Sequence, residues 1–183
     1  MEQQGERVWA LDEARFGLRV WSRRRWCPFG ARPPWVYDDQ YAWLWLSAAV
    51  EPTTGQRFCV FLPRLDGACF EVFLREWRQA VPAQRMAVVL DHSGAHTSGH
   101  VAWPDGITPI PLPAYSPELN PGERWFKELR EPLANQVHQR LEALEETLTA
   151  ALRFYWEHPK ALVQLTAYPW WREGVRYMTT WSE

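Results

Sequence analysis

Hydrophobic and polar positions along the chain fall into blocks of different period. Residues 8–11 form a short apolar run that meets Asp12, which predicts a strand ending in a carboxylate. Residues 17–21 continue as a second extended piece. Pro28, Gly30, Pro33 and Pro34 punctuate residues 22–40, which read as a loop. Residues 41–50 are apolar and aromatic, as in a buried strand. A turn at 51–55 leads into residues 57–62 as the returning arm of a hairpin. Phe70, Phe73, Leu74, Trp77 and Val81 then recur at helical spacing. Residues 87–90 are wholly apolar, as in a strand buried on both faces, and they too end in a carboxylate, Asp91. Pro109 and Pro111 confine residues 107–112 to a sheet edge.

Asn120, Pro121 and Glu123 signal a helix start: a cap, a proline at the first helical position and an acid at the third. That helix runs to about Arg130. Leu141, Leu144, Leu148, Leu152 and Tyr155 stripe another, closed by Pro159. The Trp-rich remainder, with Trp170, Trp171 and Trp181, has no clear period. A hairpin-rich start followed by alternating strands and helices predicts an α/β fold, a mixed sheet covered by helices. Its element order is that of the RNase H-like fold.

Composition adds little to this. At 183 residues, one domain spanning 1–183 is expected, with a core at about 7–157 and a C-terminal helical tail at 158–183. The formal net charge of −2 does not suggest a dedicated nucleic-acid-binding module, and the 13 tryptophans serve cores and base stacking equally. Cys27, Cys59 and Cys69 are odd in number and show no metal-ligand spacing, which fits a reducing compartment. The N-terminus has no apolar signal region, and residues 41–50 are too short to span a bilayer, so no membrane association is expected.

The candidate chemistry lies in Asp12, Asp91 and Glu123. Two strand-end acids and one helix-start acid can converge on a shared crevice. Three carboxylates there repel one another unless cations intervene, and hard oxygen ligands suit Mg²⁺ or Mn²⁺. Each acid also has a structural explanation: a turn residue, a cap for the next helix, and a capping-box residue. His92, His96 and His100 lie four apart and would share a helical face able to bind zinc with Asp91. Gly94, Ser98 and Gly99 argue against a long helix there. Arg15, Arg19, Arg23, Arg24, Arg25 and Arg32 occur without an acid between residues 14 and 37, interleaved with Trp21, Trp26 and Trp35. Such a cluster suits phosphates and bases, and equally a solvated hairpin.

Leu11-Asp12-Glu13-Ala14-Arg15-Phe16-Gly17 resembles the first catalytic block of DDE transposases of the mariner-like superfamily, in their bacterial insertion-sequence branch. Arg25-Trp26-Cys27-Pro28-Phe29-Gly30 resembles their next block. Val89-Leu90-Asp91-His92-Ser93-Gly94-Ala95-His96 is similar to the second catalytic block, with His92 and Ser93 replacing the usual Asn and Ala. The run from Leu112 to Trp125, containing Ser116-Pro117-Glu118-Leu119-Asn120-Pro121-Gly122-Glu123, resembles the third and is the most specific signal. The gap from Asp91 to Glu123 is a little shorter than usual.

The resemblance implies an RNase H-like mixed five-stranded sheet flanked by helices. It implies two-metal-ion DNA cleavage at transposon ends and strand transfer, with Asp12, Asp91 and Glu123 holding two Mg²⁺ or Mn²⁺ ions. Glu118 is then a nearby acid outside the triad, His96 a hydrogen-bond partner behind the metal site, and the six arginines DNA contacts. Expected partners are transposon-end and target DNA, a second copy of the chain in a homodimer, and a separate helix-turn-helix segment that reads the ends. The expected location is the bacterial cytoplasm, with the nucleoid. A nuclease without transposition and a catalytically inactive domain kept for DNA or protein binding are the alternatives. The presence of all three acids argues against the second.

Overall fold

A computed structural model describes residues 7–32, 34, 36–82, 85–97 and 101–180. Its strands are β1 (Arg7–Gly17), β2 (Trp43–Glu51), β3 (Gln56–Leu62), β4 (Met86–Leu90) and β5 (Ile107–Pro111). Its α-helices are α1 (Gly67–Ala80), α2 (Gly94–Thr97), α3 (Pro121–Arg130), α4 (Leu141–Glu157), α5 (Pro159–Thr166) and α6 (Pro169–Thr180). The strands form one mixed sheet in the order β3-β2-β1-β4-β5. β1 and β2 pair antiparallel, as do β2 and β3, while β4 is parallel to both β1 and β5. The expected five-stranded sheet is therefore present, with the proline-bearing strand at an edge, where a missing N–H is tolerated.

One expected boundary is wrong. The apolar run at residues 8–11 does not end a strand at Asp12, because β1 continues unbroken to Gly17. The reason is pairing. β4 accompanies β1 only up to Ala10, opposite Val89, whereas β2 pairs with β1 from Ala10 through Gly17. Asp12 thus lies in the middle of β1, just past the point where its parallel neighbour leaves.

Side-chain alternation splits the core between the sheet's two faces. Trp9, Leu11, Val88 and Leu90 face α1, where Phe70, Phe73, Leu74 and Trp77 are fully buried. Trp9 and Trp77 meet edge-on at 5.2 Å. α1 begins at Asp66, whose carboxylate accepts the Cys69 N–H at 2.9 Å, a cap that hydrophobic periodicity does not reveal. Val8, Ala10, Ala14 and Phe16 face the other way, toward Trp125, Phe126 and Leu129 of α3 and Leu144, Leu148 and Leu152 of α4. Leu162 and Thr166 of α5 and Trp171 of α6 are buried as well, Leu162 and Trp171 within that same core. The Trp-rich tail is thus folded back onto this layer, with Trp181 outside the described residues.

The hairpin turn after β2 is held against the tail. Gly55 has φ of 76°, and a Cβ there would lie 2.5 Å from the Pro159 carbonyl oxygen. Gly30 has a similar φ of 80° but open space around it. Gly30→Ala should therefore lower stability only by the left-handed backbone penalty, about 1–2 kcal/mol. Gly55→Ala should lose a further 1–3 kcal/mol, roughly, from overpacking against backbone. Urea midpoints of the two variants measure the difference; equal midpoints would mean that the turn does not bear on α5.

Candidate metal centre

The open flank of β1 is where the site is built. Past Ala10 the strand has no β4 partner, and the N-terminal end of α3 occupies the gap. Asn120 fixes it there: its amide nitrogen donates to the Leu11 carbonyl at 2.9 Å, and its side-chain oxygen accepts the Gly122 N–H at 3.0 Å. Glycine at the second position of α3 suits this close approach, because a Cβ on Gly122 would sit a tight 3.1 Å from the Asp12 Cβ. One buried asparagine thus caps the helix and ties it to the strand beside Asp12.

Asp12 is 8% exposed. Its Oδ1 accepts the Glu13 N–H at 2.9 Å, while Oδ2 is buried with no partner. Burial first, then the negative charges of Glu123, Glu13 and Asp91, hold its pKa well above the usual carboxylate range, although the Glu13 N–H opposes this. A buried carboxylate oxygen with no donor, facing other acids, is the environment a bound cation would relieve.

Asp91 follows β4 directly and is more exposed. Its Oδ1 accepts the Ser93 N–H at 2.9 Å and lies 3.1 Å from His96 Nδ1. The hydrogen bond from His96 chiefly lowers its pKa; burial acts against this and the Ser93 N–H reinforces it. Glu123, at the third position of α3, is exposed and does not form the capping box that would explain it structurally. The Asn120 N–H that such a box needs donates to the Pro117 carbonyl at 2.9 Å. Asp12, Asp91 and Glu123 line one crevice of about 440 Å³, together with Ser93, Pro117 and Asn120. Glu118 belongs to a short 3-10 turn (Pro117–Leu119), is exposed, and does not line the crevice.

His96 lies on α2, buried against Phe70 at 4.5 Å between ring centroids. Its Nδ1 is within 3.2 Å of the Asp91 carbonyl oxygen as well as the carboxylate, and its Nε2 is 3.0 Å from Glu13 Oε1. Burial disfavours the charged ring, but the bonds to Asp91 and Glu13 prevail and push its pKa up to about 10. Ligand atoms of Glu13, Asp91 and His96 all lie within 4.8 Å of one another, so this acidic group could hold a metal ion. Glu13 is the residue that sequence reasoning missed. Strand alternation puts it on the face opposite Asp12, and no local signal in the sequence shows that this face is covered. Of the three-histidine zinc arrangement, His92 precedes α2 and so does not share a helical face with His96, and His100 lies outside the described residues.

The arginine cluster divides. Arg15 and Arg19 line a cavity of about 460 Å³ with Trp21, Tyr41 and Trp43, and Arg130 at the end of α3 joins them. The Arg15 and Arg130 guanidiniums lie 5.3 Å from the ring centroids of Trp43 and Phe16. Among the described residues none of these three arginines is paired with a carboxylate. Arg23 pairs with Glu131, and Arg25 reaches the Pro34 carbonyl. Arg24 and Arg32 are exposed, as are Trp26 and Phe29 on the same loop, while Trp35 lies outside the described residues. Among the described residues no helix is long and apolar enough to cross a membrane.

A mixed sheet in this order, with acids at the centre of β1, after β4 and at the start of α3 lining one crevice, defines an RNase H-like fold with an acidic cleft. Within this class, the chain belongs to the DDE superfamily endonucleases, whose family model matches residues 7–145. An uncharacterised protein of Sinorhizobium fredii (y4pE/y4sA) is 28% identical over 130 residues, covering 70% of this chain and 96% of that protein. A pre-cleavage Mos1 transpososome structure matches with a TM-score of 0.64 at 16% identity, over 97% of this chain and 57% of that one. The mariner Mos1 paired-end complex with Mg matches at 0.60 and 18%, over 94% and 56%. The likeness shows the RNase H-like fold, and this chain spans a little over half the length of the Mos1 chains.

The raised pKa of Asp12 has a signed consequence. Above pH ~3.9, where carboxylates in the unfolded chain ionise, the folded protein resists losing this proton, so its stability falls until pH passes the folded value. Asp12→Asn removes that opposition. In metal-free buffer the variant should have a higher urea midpoint than the parent chain at pH 7.5, with the gap closing near pH 3.5. Equal midpoints at pH 7.5 would mean that Asp12 is not destabilised by its surroundings.

Proposed function

We propose that this chain is the catalytic domain of a bacterial insertion-sequence transposase, cutting DNA at transposon ends and joining the freed 3′-hydroxyl to target DNA. The observation that carries the reading is the convergence of Asp12, Asp91 and Glu123 on one crevice, with Asp12 Oδ2 buried and unpartnered. Family membership supports endonuclease chemistry, and the Mos1 likeness supports DNA as substrate. Residues 1–183 act as one domain in this reading, with the helices from residue 158 onward completing its core.

Three carboxylates supply only hard oxygen donors, which fits two Mg²⁺ or Mn²⁺ ions. When bound, such ions favour the ionised form of an attacking water or hydroxyl and stabilise the leaving oxygen. The protein's own part is positional. Asn120 sets Glu123 and Asp12 side by side, and His96 orients Asp91. Arg15, Arg19 and Arg130 hold phosphates in the cavity they line, and Arg23, Arg24, Arg25 and Arg32 contact DNA along the loop. End recognition falls to a separate helix-turn-helix segment, assembly to a homodimer, and the location is the bacterial cytoplasm with the nucleoid.

The test is Mn²⁺-dependent cleavage of DNA carrying candidate terminal repeats, followed for joined products. Cleavage without joining would indicate a nuclease. Glu123→Gln should reduce cleavage by about 100-fold or more, as expected for loss of a direct ligand where even outer partners are worth 10–100-fold. Glu118→Gln should stay near the parent rate; the opposite ranking would reverse the assignment. DNA affinity should also fall with salt, with a log–log slope that lessens by about 0.9 per phosphate contact removed. Replacing Arg15, Arg19 and Arg130 with Gln should flatten that slope. An unchanged slope would assign these arginines to packing alone.

A further inference from the structure

The metal-dependent reading uses Asp12, Asp91 and Glu123 and leaves one buried carboxylate unexplained. Glu13 projects from the opposite face of β1, and its side chain is 3% exposed. Across the sheet its pairing partner is Ser47, which offers no charge and whose own hydroxyl is buried without a partner. Among the described residues, His96 is the cation paired with Glu13, at 3.0 Å. An acid so enclosed is retained at an energetic penalty unless its partner needs it.

We propose that Glu13 is a positioning residue for the metal crevice, acting through His96 to fix the Asp91 carboxylate. This rests on the reading of Asp91 as a metal ligand. Each nitrogen of the His96 ring faces an oxygen acceptor: Glu13 on one side, the Asp91 carboxylate and carbonyl on the other. The ring therefore bridges the two carboxylates, one nitrogen against each. Phe70 packs against the ring, so it cannot turn to serve only one of them. Asp91 needs such a tether. Its side chain is 57% exposed at the start of a loop, and an untethered aspartate there would sample several rotamers. His96 Nδ1 and the Ser93 N–H together hold Oδ1, leaving the other oxygen uncommitted for an ion.

The same three residues do not make a better metal site of their own. A single ion shared by all three would sit on one ring nitrogen, and the carboxylate now bonded to the other nitrogen would have to leave it to reach the ion. The arrangement is instead that of a metal-ligating carboxylate supported from behind by a charged hydrogen-bond chain. Here the chain crosses from one face of the sheet to the other.

The experiment measures Mn²⁺ binding to the full chain without DNA, by the loss of free-ion electron paramagnetic resonance signal. Glu13→Gln keeps shape and an acceptor but removes the charge, and should weaken binding by about 10-fold; Glu13→Leu removes both and should approach a 100-fold loss. In cleavage assays the half-saturating Mn²⁺ concentration should rise by similar factors while the rate at saturating metal changes little. In the ¹⁵N spectrum of the metal-free parent, ring N–H exchange at His96 should be slow, and Glu13→Leu should speed it. Variants that keep the parent's circular dichroism and still bind Mn²⁺ as the parent does would overturn the relay. So would His96 ring N–H exchange that is the same in Glu13→Leu as in the parent. Binding that survives Asp12→Asn but vanishes in Glu13→Gln would make Glu13 a ligand itself and overturn the positioning role. A parent chain that binds no Mn²⁺ would instead defeat the metal reading on which the relay rests.

Discussion

Beyond Ala10, β1 outlasts its parallel neighbour, and the carbonyl of Leu11 has to find a donor elsewhere. A buried backbone oxygen left unmet would lower stability by about 1–3 kcal/mol. Asn120 meets it, and because that residue also caps α3, the solution brings a helix start against the strand at that position. The rest of the site follows. The partial positive charge of the helix end lies beside Asp12, Gly122 lets the two backbones approach, and the first turn carries Glu123 into the crevice. The core of the same helix, through Trp125, Phe126 and Leu129, then packs on Ala14 and Phe16 farther along β1. The geometry of the acidic crevice and the packing of α3 on β1 therefore meet at one hydrogen-bonded junction.

That junction collects negative charge. Asp12 is buried next to Glu13 and within reach of Glu123 and Asp91, and its raised pKa expresses the resulting repulsion. A protein optimised only for stability would place an apolar residue there. The acids are offset unequally: Asp91 receives His96 and the Ser93 N–H, Glu13 receives His96, and Asp12 Oδ2 receives nothing. The unmet oxygen lies on the side of the sheet where the crevice opens. The satisfied charges lie behind it, where low polarity around Phe70 strengthens each hydrogen bond.

Much of this was legible in the sequence, and the misses have physical causes. Asn120, Pro121 and Glu123 announced α3 because capping chemistry is local, and β4 announced itself in the wholly apolar residues 87–90, within a strand that is buried throughout. Asp12 was misplaced to a strand end because hydrophobicity stops there, although the hydrogen-bond ladder with β2 does not. Arg130 was absent from the expected basic cluster since it arrives from a helix more than a hundred residues away in sequence, and only packing over Phe16 brings it beside Arg15 and Arg19. Arg23, counted in that cluster, is paired with Glu131, an acid that the local stretch of sequence does not contain. Glu13 was overlooked for a different reason. A charged residue next to a candidate catalytic acid looks like the solvent-facing partner in an alternating strand, and nothing in the local pattern says that α1 and α2 cover that face.

Alternation also explains why two adjacent acids can have separate duties. In a strand, successive side chains leave by opposite faces, so Asp12 and Glu13 cannot share one crevice. A single strand with helices on both faces can nonetheless serve one site twice. Asp12 enters it from the α3 side, and Glu13 reaches it from the α1 side, by way of His96 and the loop that carries Asp91. The register of β1 against β2 sets which acid does which, because a shift of one residue would exchange the faces. Asp12 opposite Ala48 and Glu13 opposite Ser47 is the pairing that places the unpartnered carboxylate toward the crevice and the paired one behind it. The hydrophobic residues that fix this register, Ala10, Ala14 and Phe16 on one face and Trp9 and Leu11 on the other, are thereby as decisive for the polarity of the site as its charged groups.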